Sequence, residues 1–410
     1  MRTGKRGVNV KKRRLVATCA MIGLAALSCA PCQLISGIQD LSASLRDGEP
    51  SPAAATLDDA VALRGTPSPA GVSISLENAT DIRLVRILEH QHWRHDPQGA
   101  WSSDKVSDVS FSPDGTIIAS SWGSMVHLWN AADGMPLRSL QGHTAWVNGL
   151  AFSPDGEILA SGSDDWSVRL WRVADGKPVR DMRRHTYCVH DVDFSADGRT
   201  VASVSGPFDG TARIWRASDG DMLHTLEHRQ AMPDPWGELR METVWSAAFS
   251  PDGEIVATGS WDSQGNVRMW RLSDGSLIRT LKHSDWVYEV AFSPDGQLLA
   301  SATGKHAQEV RLWYVENGAP YLSLGGNLGE FISSVAFSPD GQLLASGSGA
   351  RGRGTVRVWS VGDGALLHTL PAHSDWVWSV AFSPDGKLLA SGSRDGTVRL
   401  WGIPISSQDE

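Results

Sequence analysis

Residues 374–401, SDWVWSVAFSPDGKLLASGSRDGTVRLW, decide the fold. The stretch reads as three β-strands in succession: VWSVAF, KLLASG and TVRLW each alternate apolar or small residues with others. SPDG separates the first two. Proline suits the second position of a type I turn, and glycine takes the positive φ that follows. Arg394, Asp395 and Gly396 make a second tight turn before the last strand. Three antiparallel strands cannot bury both faces alone, so such a unit needs neighbours.

The chain supplies them. The signature starts at Phe111, Phe152, Phe194 (as FSADG), Phe249, Phe292, Phe337 and Phe382, at spacings of 41, 42, 55, 43, 45 and 45 residues. Each copy leads to a strand ending in tryptophan: Trp129, Trp171, Trp215, Trp270, Trp313, Trp359 and Trp401.

In period, turn chemistry and strand-ending tryptophan the chain resembles the WD40-repeat family over roughly residues 81–403. The resemblance implies an all-β, seven-bladed β-propeller. Residues 81–89, DIRLVRILE, look like the strand preceding each later unit, while the chain stops one strand short after Trp401. Residues 82–88 are therefore expected to complete the last blade, which closes the ring and removes an exposed edge. The expected organisation is a signal segment (1–30), a tether (31–74), the propeller (75–404) and a short tail (405–410).

The 410 residues are 41% hydrophobic and 20% charged, ordinary for a folded domain. The net charge of −9 excludes the basic footprint that nucleic-acid binding requires. Four cysteines occur, with only Cys188 inside the repeats, so no disulfide framework is indicated. No cofactor motif stands out: there is no glycine-rich phosphate loop.

The N-terminus reads as an address. Seven Lys and Arg residues and no acid precede Ser28, and residues 15–30 form an uncharged apolar run, short for a membrane span. Ala26, Leu27, Ser28 and Cys29 resemble a lipoprotein processing site, although Ala26 stands where leucine is usual. Lipidation at Cys29 on the extracytoplasmic side is expected, ahead of an uncleaved anchor or plain secretion. Residues 33–74, rich in Ser, Ala, Pro and Gly, read as a flexible tether. Membrane contact is expected through this anchor only, with a monomeric propeller.

In the family, a Trp, a Ser or Thr, a His and an Asp bond to one another within a blade. Blade 2 carries His143, Ser161, Asp165 and Trp171; blade 3 carries His185, Ser203, Asp209 and Trp215; blade 7 carries His373, Ser391, Asp395 and Trp401. Blade 4 keeps Thr258, Asp262 and Trp270, with its histidine unassigned because an insertion follows His228. Blade 5 lacks the Asp, blade 6 keeps Ser346 and Trp359, and blade 1 keeps Ser120 and Trp129. Ser, His and Asp together also suggest a hydrolase triad, but the set recurs in several blades and no G-x-S-x-G elbow is present. The structural role is the expectation, with no enzyme activity.

Loop lengths distinguish the two faces of the ring. Nine residues run from every signature Phe to the next Ser or Thr, and five from Trp to the Gly of the following turn. The other two connections vary, with insertions at 91–104 and 229–242. Variable loops carry function more often than the scaffold does. The same face should collect Trp146, Trp286, Phe331 and Trp376 (six residues before the signature Phe), Trp245, Tyr288 and Trp378 (four before it), and Trp166, Phe208, Trp261 and Arg394 in the turns. Exposed rings there, with Asp285 nearby, suit peptide anchoring, although such rings also pack over their own blade.

The leading expectation is a scaffold that binds a protein or peptide on this face. The alternatives are a carbohydrate or wall-polymer binder, or an enzyme or metal site on the two insertions. His90, His92, His95 and Asp96 could meet zinc, but that spacing is common by chance, so no metal site is assigned.

Overall fold

A computed structural model of the chain describes residues 73–89, 105–206, 209–228, 242–261, 265–283, 285–304, 307–325, 329–350 and 352–403. Seven four-stranded antiparallel sheets make seven blades. In each, the strand ending at the signature Phe is innermost, and the inner strands of adjacent blades touch. They run Val109–Phe111, Val147–Phe152, Val189–Phe194, Thr243–Phe249, Val287–Phe292, Phe331–Phe337 and Val377–Phe382.

The ring closes as expected. Arg83–Glu89 pairs antiparallel with Thr397–Gly402 as the outermost strand of blade 7. The segment before it adds to the closure. Ile74, Ala79 and Ile82 are buried between blades 6 and 7 beside Val358, Leu370 and Trp401. Ile74 N donates to Gly386 O at 2.8 Å and Ser73 Oγ to Asp385 O at 2.8 Å. The chain therefore meets the ring at the SPDG turn of blade 7.

The core lies between blades, in seven separate clusters. Ala119, Val126, Leu128 and Leu140 of blade 1 pack on Val147, Leu150, Leu159 and Trp171 of blade 2. This explains the glycine in the repeated ASGS strand. A Cβ at Gly162 would lie 2.6 Å from Val189 Cγ1 of blade 3, so a larger residue would force the blades apart.

The SPDG turn holds itself. Ser153 Oγ donates to Asp155 Oδ1 at 2.5 Å and accepts from Ile158 N at 2.9 Å, while Asp155 Oδ1 also accepts from Glu157 N at 3.0 Å. These bonds, the one from Ser153 foremost, hold the Asp155 carboxyl below its ordinary range. Cys188 is fully buried within blade 3.

Candidate functional site: the channel mouth

Hydrogen-bonded side-chain networks run within the blades. In blade 2, Trp171 Nε1 donates to Ser161 Oγ at 2.8 Å, His143 Nε2 lies 2.7 Å from Ser161 Oγ, and His143 Nδ1 lies 2.9 Å from Asp165 Oδ2. The indole N–H occupies Ser161 as an acceptor, so its hydroxyl donates to Nε2, and Nδ1–H donates to the carboxylate. Blade 7 repeats this through Trp401, Ser391, His373 and Asp395, with the His–Asp contact at 2.9 Å. In blade 3, Trp215 and His185 both meet Ser203, but His185 Nδ1 stands 3.4 Å from Asp209. Desolvation raises the Asp165, Asp209 and Asp395 carboxyls, yet the bonds and charge from their histidines outweigh it and hold all three below the ordinary range. Ser161, Ser203 and Ser391 are fully buried. A hydrolase nucleophile must meet a substrate carbonyl, and these hydroxyls face indoles inside a sheet.

Blade 4 solves the same problem differently. His228 sits 21 residues before Phe249 instead of nine, and its Nε2 lies 2.9 Å from Thr258 Oγ1. Its Nδ1 meets Arg268, which stands 3.5 Å from Glu242. The Asp262 expectation falls outside the described residues. In blade 6, Glu330 takes the polar role: it is buried, pairs with Arg357 at 2.8 Å and accepts from Ser348 Oγ at 3.0 Å.

Two rings of side chains line the inner strands. The first uses the residue three before each signature Phe, which accepts a backbone N–H from the next blade. Leu150 N donates to Asp108 at 2.7 Å, Ala247 N to Asp191 at 3.0 Å, and Val290 N to Ser246 at 3.3 Å. Val335 N donates to Glu289 at 3.0 Å, Val380 N to Ser334 at 2.9 Å, and Val109 N to Ser379 at 3.2 Å. Gly149 takes the remaining place: a Cβ there would sit 2.7 Å from Asp191 Cα. Asp193 adds an acceptor for Phe249 N at 2.7 Å. Desolvation raises these carboxyls, Asp108 and Asp193 to about 7, Asp191 to about 6, and Glu289 well above its ordinary value. The sequence reading passed over this belt, although a fixed offset from the signature Phe marks it.

The second ring comes from a bulge. In blades 2 to 7 the pairing of the inner strand skips one residue, four before the signature Phe: Asn148, His190, Trp245, Tyr288, Ser333 and Trp378. Bulges re-aim side chains. Here they aim them at the next blade. Asn148 Nδ2 donates to Val189 O at 3.0 Å. The rings of His190 and Trp245 stack at 4.2 Å between centroids, and Trp245 meets Tyr288 edge-on at 5.7 Å.

The aromatics continue around the mouth. Trp261 lies 4.1 Å from Trp286 and 5.7 Å from Trp245. Tyr288 meets Phe331 at 6.3 Å, Phe331 stacks on Trp376 at 5.2 Å, and Trp376 meets Trp378 at 5.5 Å. The ammonium of Lys105 lies 4.1 Å from the centre of the Trp146 ring and 6.0 Å from that of Trp378. All seven blades contribute to this rim. Its rings are more covered than expected: Tyr288 is buried, Asp285 is buried, and Trp146, Trp245, Trp261, Trp286, Phe331, Trp376 and Trp378 are half-buried against one another. Trp166 and Arg394 are exposed. Lys105 and His190 stand at the same two offsets from their signature Phe, but a single Lys or His there is no more telling in the sequence than an ordinary polar position. Phe208, the His90–His95 cluster with Asp96, and most of both insertions lie outside the described residues.

A model of the family described as WD domain, G-beta repeat matches seven times, at residues 95–130, 134–172, 176–216, 239–271, 275–313, 318–360 and 364–402. The chain belongs to the WD-repeat family. It is similar to the WD40 repeat-containing protein HOS15 of Arabidopsis thaliana, 34% identical over 42% of this chain and 27% of that one. It also resembles the small ribosomal subunit protein RACK1y of Oryza sativa subsp. japonica, 31% identical over 43% of this chain and 36% of that one. Apoptotic protease-activating factor 1 of Rattus norvegicus is 26% identical over 50% of this chain and 16% of that one. The chain thus spans about a third or less of the length of these relatives. Propellers of this WD-repeat kind mediate protein–protein contacts in such relatives.

Proposed function

We propose that this WD-repeat propeller is a non-enzymatic scaffold that binds a protein or peptide across the aromatic rim of its loop-variable face. The observation that carries the reading is the continuous arc Trp245–Trp261–Tyr288–Phe331–Trp376–Trp378 over blades 4 to 7, with Trp286 packed on Trp261. Half-buried rings locked on one another lose little freedom on binding, and Trp and Tyr dominate interface energetics. Trp286→Ala/Trp376→Ala/Trp378→Ala should leave the ring folded, because none of the three is a strand-ending tryptophan. Its partner should bind at least about tenfold more weakly, since anchor truncations commonly cost that much or more. Pull-down from envelope extracts, with captured proteins identified and their affinities measured on purified material, reads this. Equal capture by wild type and triple variant removes the rim from the proposal.

The propeller is tethered, in this proposal, through Cys29 on the extracytoplasmic side. The motif around Cys29 and the preceding basic and apolar runs support it. So does the position of Ser73, bonded to the SPDG turn of blade 7 on the face away from the rim, which leaves the rim free of the tether's attachment point. Labelled palmitate should enter wild type and not Cys29→Ser; labelling of both would place the anchor elsewhere.

A further inference from the structure

The rim has two unlike sectors. Blades 4 to 7 supply aromatics, whereas blades 1 to 3 supply Lys105, Asn148, Asp164 and His190 around Trp146. Lys105 stands six residues before its signature Phe, the offset of Trp146, Trp286, Phe331 and Trp376. It is half-buried, and its ammonium lies over two indoles, with no hydrogen bond or ion pair among the described residues. Indole faces replace only part of an ammonium's hydration, and this cation meets no acceptor among the described residues. Trp378 Nε1, on the same side, likewise has no acceptor among the described residues. Arg394 is exposed nearby, its Nε 3.8 Å from Asp375. Desolvation draws Lys105 down to about 8, against the attraction of Asp164 and with the repulsion of Arg394, and it remains charged at neutral pH. His190, kept neutral by burial, adds no positive charge.

We propose that Lys105, at the indole-walled corner between Trp146 and Trp378, receives a carboxylate of the peptide bound on the rim. This deepens the peptide-binding reading and rests on it. Charge complementarity selects the group: the sector has two unmet donors, one of them cationic, and a carboxylate supplies acceptors. Asp164 lies in the same sector, buried, with Oδ1 held by Asn148 Nδ2 at 2.7 Å and Oδ2 meeting no partner among the described residues. Burial draws its carboxyl up to about 7, so at neutral pH it only partly offsets the Lys105 charge and leaves that cation for a carboxylate. The bound segment therefore carries apolar or aromatic residues for blades 4 to 7 and one acidic group for blades 1 and 7.

A synthetic array of random dodecapeptides, each made as free acid and as amide, tests this with the full chain. Wild type should select peptides that combine apolar residues with a carboxylate. Selection confined to free acids assigns a terminal carboxylate, and selection that includes amides assigns Asp or Glu side chains. Lys105→Gln should bind the selected peptides about tenfold more weakly, the usual worth of a charge-assisted hydrogen bond. Lys105→Glu should shift selection toward Lys and Arg. Trp286→Ala/Trp376→Ala should lose binding whatever the charge. Melting temperatures close to wild type establish that each variant is folded, and Lys105→Gln carries the test if Lys105→Glu is not. Selection without acidic preference, or the same selection by wild type and the Lys105 variants, overturns the carboxylate proposal and leaves the peptide reading standing. No selection by wild type, or equal selection by the Trp pair, overturns that reading as well.

Discussion

Removal of Arg83–Glu89 from the full chain is expected to abolish the folded ring. This strand makes six cross-strand pairs with Thr397–Gly402, and Leu88 with the adjoining Ile82 is fully buried. Its loss bares the edge of blade 7 and uncouples the core clusters on both sides of that blade. At about 1 kcal/mol net per backbone hydrogen bond and roughly 2 kcal/mol per large apolar side chain, the deficit exceeds about 5 kcal/mol. Whole domains are stable by only about 5–15 kcal/mol. The deletion variant should therefore aggregate, or melt with a broad transition at least about 10 °C below wild type. Leu88→Ala is the graded version, with an expected loss of about 2–4 kcal/mol in urea unfolding. A deletion variant that melts like wild type would show that the ring holds without its closing strand.

The second large effect is a loss of stability with rising pH, an unusual direction for an acidic protein. Asp108, Asp164 and Asp193 are each pushed up to about 7 by desolvation. A carboxyl raised in the folded state is held more tightly as the acid. Its contribution is complete below the unfolded value near 4 and is lost as pH rises through about 7. The depressed histidines, His185, His190, His228, His283 and His373, act the other way: they destabilise the fold as pH falls through their unfolded value. The two groups oppose each other between roughly pH 4 and 6.5. At pH 6.5 the unfolded histidines are still half protonated, so between pH 6.5 and 8 each returns about 0.4 kcal/mol of stability, and the carboxyls are separated from them by comparison with a carboxamide variant. Lys105, lowered to about 8, opposes them only from about pH 8 upward. Each of these three carboxyls should contribute a loss of about 1 kcal/mol across the window, and Glu289, raised well above its ordinary value, adds to it, against about 2 kcal/mol returned by the five histidines. Denaturation in urea at pH 6.5 and 8 measures it. Asp108→Asn/Asp193→Asn keeps an acceptor for Leu150 N and Phe249 N and should lose about 2 kcal/mol less than wild type between the two pH values. An unchanged slope in that variant would relieve the belt of responsibility.

Much of this follows from the chain read alone. Seven copies of one turn signature, each followed by a strand-ending tryptophan, specify seven blades, because each unit exposes faces that only another unit can cover. A strand before the first unit and a missing strand after the last specify the closure. The serines and tryptophans of the blades were legible for a simple reason: Ser161 and Trp171 lie on adjacent strands joined by a short turn, so local spacing determines their bond.

Only the tertiary structure decided what crosses from blade to blade. Asp108 accepts from Leu150, 42 residues later, while Ser379 closes the same belt onto Val109, 270 residues earlier. No local pattern reports such pairs, although an offset from the signature Phe recurs through all of them. His228 was obscured because insertion 229–242 separates it from its strand, and its Arg268 partner has no counterpart in the repeat pattern. The same holds for the rim. The sequence gathered Trp245, Trp286, Trp376 and their neighbours onto one face, but whether each ring stands free or leans on the next depends on how the inner strands of adjacent blades meet, and for Trp245, Tyr288 and Trp378 on the bulge at each of them. That meeting is a property of the closed ring and not of any single repeat. Lys105, placed by its offset among tryptophans, likewise ends on two indoles from different blades, a meeting that only the closed ring brings about.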